Sequence, residues 1–315
     1  GQLRFRRCTA EARSVTNGRT SSTQQDSGRA LVAPGTGNGL VDVFRSRFLL
    51  KLLVRKELRI RYRGSILGLL WTYVKPGVQF VAFYIALGVF LGLEQSPTNR
   101  GGLPNYAVYL FSGIILVNFF TESLSTATRS IVNNSGLINK IYLPRELFPV
   151  SSVWVSAVHF FPQLFVLVVA CLFSGWRPGP LEAVTAVAGF TIIALLATGL
   201  GLFFGAVNVY FRDSENFVDL ILLIATWVAP VLYSWRMVQD KAGELWFTVY
   251  QLNPITVAVE AFHHAFWLPT TSGAEGSPPN LLTVWIPVGL LVSLAILFLG
   301  QWTFRRLEGR FAQEL

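Results

Sequence analysis

Apolar residues in this chain gather into long runs separated by short polar breaks. Six runs stand out, at roughly residues 66–93, 105–128, 149–174, 182–209, 217–235 and 282–304. About 20 consecutive apolar residues carry a helix across the hydrocarbon core of a bilayer, and longer runs cross with a tilt. Each run therefore predicts a membrane-spanning helix. The stretch 245–268 is also apolar, but Pro254 interrupts it and Glu260, His263 and His264 load its second half. A full crossing there would leave the two chain ends on opposite sides. It is read instead as a broken, re-entrant helix pair dipping in from the outer face, because irregular backbone is tolerated at membrane depth when protein surrounds it. Ahead of the first run, Val41, Phe44, Phe48 and Leu52 recur at three- and four-residue intervals. That spacing marks an amphipathic helix, here one lying in the headgroup plane. The predicted fold class is all-α: a polytopic membrane protein with six transmembrane helices, an N-terminal amphipathic interface helix over 41–63 and re-entrant outer helices.

The segments outside the runs complete the organisation. Residues 1–40 are rich in Arg, Ser, Thr and Gly and lack the apolar core of a secretory signal, so they are read as a flexible cytoplasmic head. Residues 64–304 form the membrane domain and 305–315 a short cytoplasmic tail. Hydrophobic residues make up 52% of the chain and charged residues 14%, against about a quarter charged in soluble domains, which excludes a soluble globular protein. The net charge of +9 acquires meaning once its cations are located: 14 of the 26 Lys and Arg precede Gly64, and the others flank the runs except Lys75, inside the first. No basic stripe with interleaved aromatics is present, so no nucleic-acid partner is expected. Membrane lipid with anionic headgroups, and an acidic partner protein, are the expected counter-charges. With six crossings and a cytoplasmic start, the inner segments hold 21 Lys and Arg and the outer segments four, as the positive-inside rule requires.

Candidate chemistry is sparse. There is no Walker A loop to hold ATP, no His-Glu-x-x-His pair, no Cys-x-x-Cys and no Gly-x-Ser-x-Gly elbow. Cys8 and Cys171 imply neither a disulfide framework nor a zinc site. His263 and His264 are adjacent, which on a helix points them about 100° apart, a poor chelate. Glu122, His159 and Glu260 are the main titratable groups near the runs, and their expected depths differ, which argues against a proton relay. Gly64/Gly68, Gly88/Gly92 and Gly201/Gly205 would allow close helix contact, including at a dimer face. Two inner loops are compact and charged: IVNNSGLINKIYLPRELFP at 131–149, long enough for one small surface helix, and NVYFRDSEN at 208–216. A chain without its own energy source that offers two such loops is suited to being pushed by another protein.

The series R-K-E-L-x-x-R-Y-R-G-S-I-L-G-x-x-W at Arg55–Trp71 resembles the signature of ABC-2-type polysaccharide export permeases. So do L-I-N-K-I-Y-L-P-R-E at Leu137–Glu146, F-R-D at Phe211–Asp213 and N-P at Asn253–Pro254, and the resemblance covers roughly residues 41–315 in order. Members of that family move O-antigen, teichoic acid or galactan across the bacterial inner membrane. The Arg-heavy, Lys-poor usage looks like a high-GC actinobacterium and points within the family to the mycobacterial cell-wall galactan exporters. The long polar head departs from many members.

The resemblance implies a multi-pass inner-membrane subunit with both termini cytoplasmic, paired with a second copy of itself. Two separate ATP-binding cassette subunits would dock beneath and hold ATP and Mg, this chain binding no cofactor, catalytic group or metal. It implies a coupling role for Leu137, Ile138, Lys140, Tyr142, Pro144, Arg145 and Glu146, with Arg212 and Asp213 in the second loop. It also implies a substrate gate at Arg55, Lys56, Arg59, Arg61 and Arg63, where guanidinium groups match the phosphate oxygens of a polyprenyl-pyrophosphate-linked glycan. A polysaccharide too large and polar for lipid needs a protein-lined channel, in which aromatic rings stack on sugar faces. Tyr73, Phe80 and Tyr84, on one face of the first span, and Trp227 and Tyr233 toward the outer end of the fifth, are the candidates. The alternatives are a membrane-embedded glycosyltransferase or acyltransferase acting on a polyprenyl-linked glycan, and a drug-exporting ABC-2 permease. An enzyme would need a carboxylate pair or His–Asp set at one level, whereas the outer loops offer only scattered Glu94, Glu182, Asp240, Glu244 and Glu275.

Overall fold

The computed structural model describes residues 39–66, 68–94, 103–138, 140, 143–271 and 276–314, and among these every regular element is a helix. The expected head at 1–40 lies almost wholly outside the described residues. A short helix, Leu40–Arg45, breaks at Ser46 and leads into α1, Arg47–Tyr62. There follow α2 (Trp71–Phe83, extended to Phe90 by a π-helical stretch), α3 (Tyr106–Asn133), α4 (Leu147–Phe173) and α5 (Pro180–Tyr210). The chain then forms α6 (Ser214–Val228), α7 (Trp235–Gln251), α8 (Pro254–Phe262, extended to Trp267) and α9 (Ile286–Leu307).

Five stretches are long and apolar enough to cross a membrane: Trp71–Phe90, Tyr106–Asn133, Leu147–Phe173, Pro180–Tyr210 and Leu281–Arg310. They account for five of the six expected spans. The run at 217–235 differs, because its helix α6 has 15 residues. At 1.5 Å per residue that is about 22 Å, short of a hydrocarbon core of about 30 Å. Pro230 is the cause: Ala229 ahead of it is extended (φ −68, ψ 142), as residues before proline are. The irregular backbone that follows is held by buried phenols. The Tyr109 hydroxyl lies 3.0 and 2.7 Å from the carbonyls of Pro230 and Tyr233, and that of Tyr106 lies 3.3 Å from the carbonyl of Leu232. Non-helical backbone in a membrane domain survives only with such partners.

The stretch 245–268 splits as expected. α7 ends at Gln251, and the Asn253 side chain accepts from the Ile255 N–H at 3.0 Å with Pro254 in the first turn of α8, a capped restart of the helix. All nine residues of α8 are buried, Glu260 included. His263 donates Nε2–H to the Tyr109 carbonyl at 3.2 Å and stacks on that ring at 3.8 Å.

The main apolar core runs through α3, α4, α5 and α8. A second core gathers Val43, Leu53, Ile131, Phe148, Leu202, Phe304 and Phe311 at the end of the bundle where α3 stops and α4 begins. The first and last described segments meet there, Gly39 sitting beside Gln301. In α1, Leu53 turns into this second core, as does Val43 just before it, while Val41 (63%), Phe48 (71%) and Leu52 (45%) stay exposed. The segment thus has one apolar edge for the bundle and another for a lipid surface. The glycine pairs divide by role. A Cβ at Gly201 would lie 2.7 Å from that of Ala127, so this glycine lets α5 close on α3 within the chain. Gly64 and Gly68 have φ of 77 and 49 with open space around them; they are turn residues that end α1 and swing the chain into α2.

Candidate functional site

One stripe of α2 carries Thr72, Lys75, Pro76 and Gln79, and it borders a cleft of about 810 Å³ walled by α3 and α4. Pro76 shapes the stripe. It has no N–H to give the carbonyl one turn back, that of Thr72. Gln163 of α4 takes over, donating Nε2–H to that carbonyl at 3.1 Å. Across the cleft Asn118 of α3 donates to Gln79 Oε1 at 3.1 Å. The wall thus carries amides, hydroxyls and an ammonium beside the apolar side chains of Trp71, Ile115, Phe119 and Phe160, largely within helices that cross the membrane. A smaller cavity of about 330 Å³ adjoins it below α1, sharing Arg61, Ser125, Thr126 and Arg129.

At the mouth of the cleft four side chains from three helices form a chain of hydrogen bonds. Arg61 Nη1 lies 2.5 Å from Glu122 Oε1, His159 Nδ1 lies 2.7 Å from the same oxygen, and the Tyr62 hydroxyl lies 2.8 Å from His159 Nε2. A carboxylate only accepts, so Nδ1 carries the hydrogen, and in the neutral ring Nε2 accepts from Tyr62. Burial pushes the Tyr62 hydroxyl above its ordinary pKa, the Arg61 guanidinium opposing this and the Glu122 carboxylate adding to it; the phenol stays a donor. His159 is 1% exposed. Both its nitrogens are engaged inside the protein, so it orients Glu122 rather than addressing a ligand.

This contact corrects the expected depths. Glu122 lies eleven residues before the end of α3 at Asn133, and His159 twelve after the start of α4 at Leu147. In antiparallel neighbours that is the same level. The apolar run closes at 128 because Thr128, Arg129 and Ser130 interrupt it, while the helix continues through them to Asn133.

The expected site residues separate. In the gate set, Arg55, Arg59 and Arg63 are exposed, Arg61 turns into the cleft, and Lys56 donates to Asn134 Oδ1 at 2.5 Å. In the coupling set, Leu137, Ile138 and Pro144 are half-buried, Lys140 is exposed, and Tyr142 lies outside the described residues. Arg145 and Glu146 do not stand out toward a partner. Arg145 donates to the Glu308 carbonyl and lies 5.6 Å over the Phe311 ring, and Glu146, 4% exposed, accepts from Gln301 at 3.3 Å. The second loop is different: Phe211, Arg212 and Asp213 are all exposed. Of the channel aromatics, Tyr73 is half-buried, Phe80 stacks on Tyr84 at 5.8 Å, and Tyr84 donates to Glu94 at 2.6 Å. Those three are not among the residues bordering the cleft, whose stripe on α2 lies one residue round the helix. Trp227 is 60% exposed, and the Tyr233 hydroxyl meets the carbonyls of Trp227 and Val228 at 2.9 and 3.0 Å. Lys75, Gln79, Asn118 and Gln163 were not singled out as cleft residues by sequence. The available signal was Lys75 itself, since an ionisable residue inside a span marks a functional site by default.

A helical membrane domain whose surface helix leads into a polar, cationic cleft defines the membrane subunit of a transporter. Residues 49–267 match the ABC-2 type transporter family, and the chain belongs to that family. It is 26% identical over 271 residues to the O-antigen export system permease protein RfbA of Klebsiella pneumoniae, covering 85% of this chain and 95% of the relative. It is 27% identical to the protein of that name in Myxococcus xanthus, covering 82% and 94%. The polysialic acid transport protein KpsM of Escherichia coli is 22% identical, covering 78% and 90%.

Proposed function

We propose that this chain is the permease subunit of an exporter that moves a lipid-linked polysaccharide across the inner membrane, driven by separate ATP-binding subunits. The observation that carries this reading is the cleft. Its wall supplies hydrogen-bonding groups and three cations, Lys75 and Arg129 on membrane-crossing helices and Arg61 on the interface helix. Hydroxyl-rich sugars call for amides and hydroxyls, and a pyrophosphate calls for guanidinium or ammonium. A drug exporter's pocket would be expected to carry far fewer charged groups beside its aromatic rings. The relatives named for O-antigen and polysialic acid agree with a glycan, and the residue usage favours a cell-wall galactan or an O-antigen-like polymer on a polyprenyl pyrophosphate.

The functional unit is proposed to be two copies of this chain with two ATP-binding subunits holding ATP and Mg. The exposed Phe211–Asp213 turn and Lys140 form the contact with those subunits. The end of the bundle that carries them is the cytoplasmic end, with both termini on that side.

The test is transport in inverted membrane vesicles containing this chain and its ATP-binding subunit. Lipid-linked glycan added outside should become protected from glycosidase only with ATP, and Lys75→Gln should slow this without lowering permease abundance. ATP-dependent accumulation of hydrophobic drugs with no glycan protection would overturn the reading.

A further inference from the structure

We propose that the segment Leu307–Glu314 is a clamp joining the two cytoplasmic loops, so that a push on one loop is transmitted to both. The sequence gives this segment no role beyond a tail, but the structure buries its centre. Phe311 is fully buried and is the meeting point of three elements. Its ring lies edge-on to Phe304 of α9 at 5.5 Å, 6.2 Å from the Tyr210 ring at the end of α5, and under the Arg145 guanidinium at 5.6 Å. Two hydrogen bonds reinforce the junction. Arg145 donates to the Glu308 carbonyl, and the Tyr210 hydroxyl donates to the Leu307 carbonyl at 2.8 Å.

Arg145 closes the first loop and Tyr210 immediately precedes the exposed Phe211–Asp213 turn of the second. Each loop is therefore tied to the same short segment by one hydrogen bond and one ring contact. Lys140 and Phe211–Asp213 remain exposed at this end. A partner gripping the second loop pulls on Tyr210, and Phe311 passes the displacement to Arg145 and to the start of α4. Packed rings and directed hydrogen bonds transmit such a displacement because the core they form is not continuously deformable. Phe311, Arg145 and Tyr210 are thus positioning residues.

The inference rests on the exporter reading above, since it requires an ATP-driven partner. The experiment measures ATP hydrolysis and glycan export in the same vesicles, using the full complex. Phe311→Ala should leave the ATP-binding subunit attached and hydrolysing, while export per ATP falls about tenfold, inside the roughly two- to thirtyfold range for residues that carry coupling. Phe311→Leu, which refills most of the space, should recover export per ATP to within about twofold of wild type. An unchanged ratio in Phe311→Ala would overturn the clamp. If Phe311→Ala does not accumulate, Tyr210→Phe decides: it deletes only the hydroxyl bonded to Leu307. A lowered export per ATP in that variant supports the clamp and an unchanged one overturns it. Failure of the exporter reading would be visible separately, as no ATP-driven glycan export in wild type.

Discussion

Replacing Glu122 by Gln tests how α1 is held on the membrane domain. Glu122 Oε1 takes bonds from Arg61 at 2.5 Å and His159 at 2.7 Å, and the two are unequal. The Arg61 side chain is 43% exposed, so its pairing is screened and contributes about 0.5 kcal/mol. The His159 side chain is 1% exposed. Its Nδ1–H has no water to turn to, and leaving a buried donor unmade costs about 1–3 kcal/mol. Gln keeps a carbonyl oxygen that accepts from both but removes the charge, which about halves each bond. The expected loss is therefore about 1 kcal/mol for Glu122→Gln and about 2–3 kcal/mol for Glu122→Ala. Reversible unfolding of the purified chain in bicelles reads both, and double-mutant cycles with Arg61→Gln and His159→Ala apportion them. The His159–Glu122 coupling should exceed the Arg61–Glu122 coupling, and raising the salt should diminish only the latter. A larger, salt-sensitive Arg61–Glu122 term would show that the exposed ion pair, not the buried imidazole, fixes the junction.

Three further outcomes follow from the geometry. Gly300→Ala should lower the yield of folded protein severely, because a Cβ there would run into the Gly199 carbonyl and a Cβ at Gly199 would lie 2.7 Å from the Leu297 backbone; wild-type thermal stability in Gly300→Ala would contradict the α5–α9 packing. Cysteines at Thr72 and Gln79 should react with a water-soluble maleimide while a cysteine at Phe80 reacts far more slowly, since the cleft borders the first two positions and Phe80 stacks on Tyr84; the reverse order would return the path to the aromatic face. Arg212→Glu should weaken co-purification of the ATP-binding subunit by about 1–2 kcal/mol, roughly a five- to thirtyfold change in Kd, whereas Glu146→Gln, buried beside Gln301, should act on stability first; equal loss of co-purification in both would refute the separation.

Much of the fold was legible because membrane helices write themselves as long apolar runs, and five of the six emerged as helices of spanning length. The sixth run extends from beside Arg129 to beside Tyr106 and Tyr109 but is helical only to Val228, breaking before Pro230, where apolar composition and helical geometry part company. The second run stops short of the end of α3 for the opposite reason, since Thr128, Arg129 and Ser130 break the apolar pattern while the helix continues to Asn133. The shorter run puts Glu122 and His159 at different levels and hides the cluster at the cleft mouth. The aromatic face of α2 drew attention because rings are conspicuous in sequence, yet the neighbouring stripe of Thr72, Lys75 and Gln79 borders the cleft. Which stripe faces a cavity depends on the Gln163 and Asn118 bonds from α4 and α3, and no pattern within α2 encodes those. Arg145 and Glu146 read as exposed charge because they lie between spans. Glu146 is instead buried and Arg145 half-buried, through Gln301, Glu308 and Phe311, some 160 residues on.

The glycan is proposed to pass along the cleft between α2, α3 and α4. A photo-reactive amino acid placed at Gln79 or Asn118, in vesicles exporting radiolabelled lipid-linked glycan, tests it most directly. Illumination during ATP-driven export should attach labelled glycan to the permease from both positions, and far less from the exposed position Val78 on the same helix. Glycan captured from Val78 but from neither Gln79 nor Asn118 would place the path elsewhere.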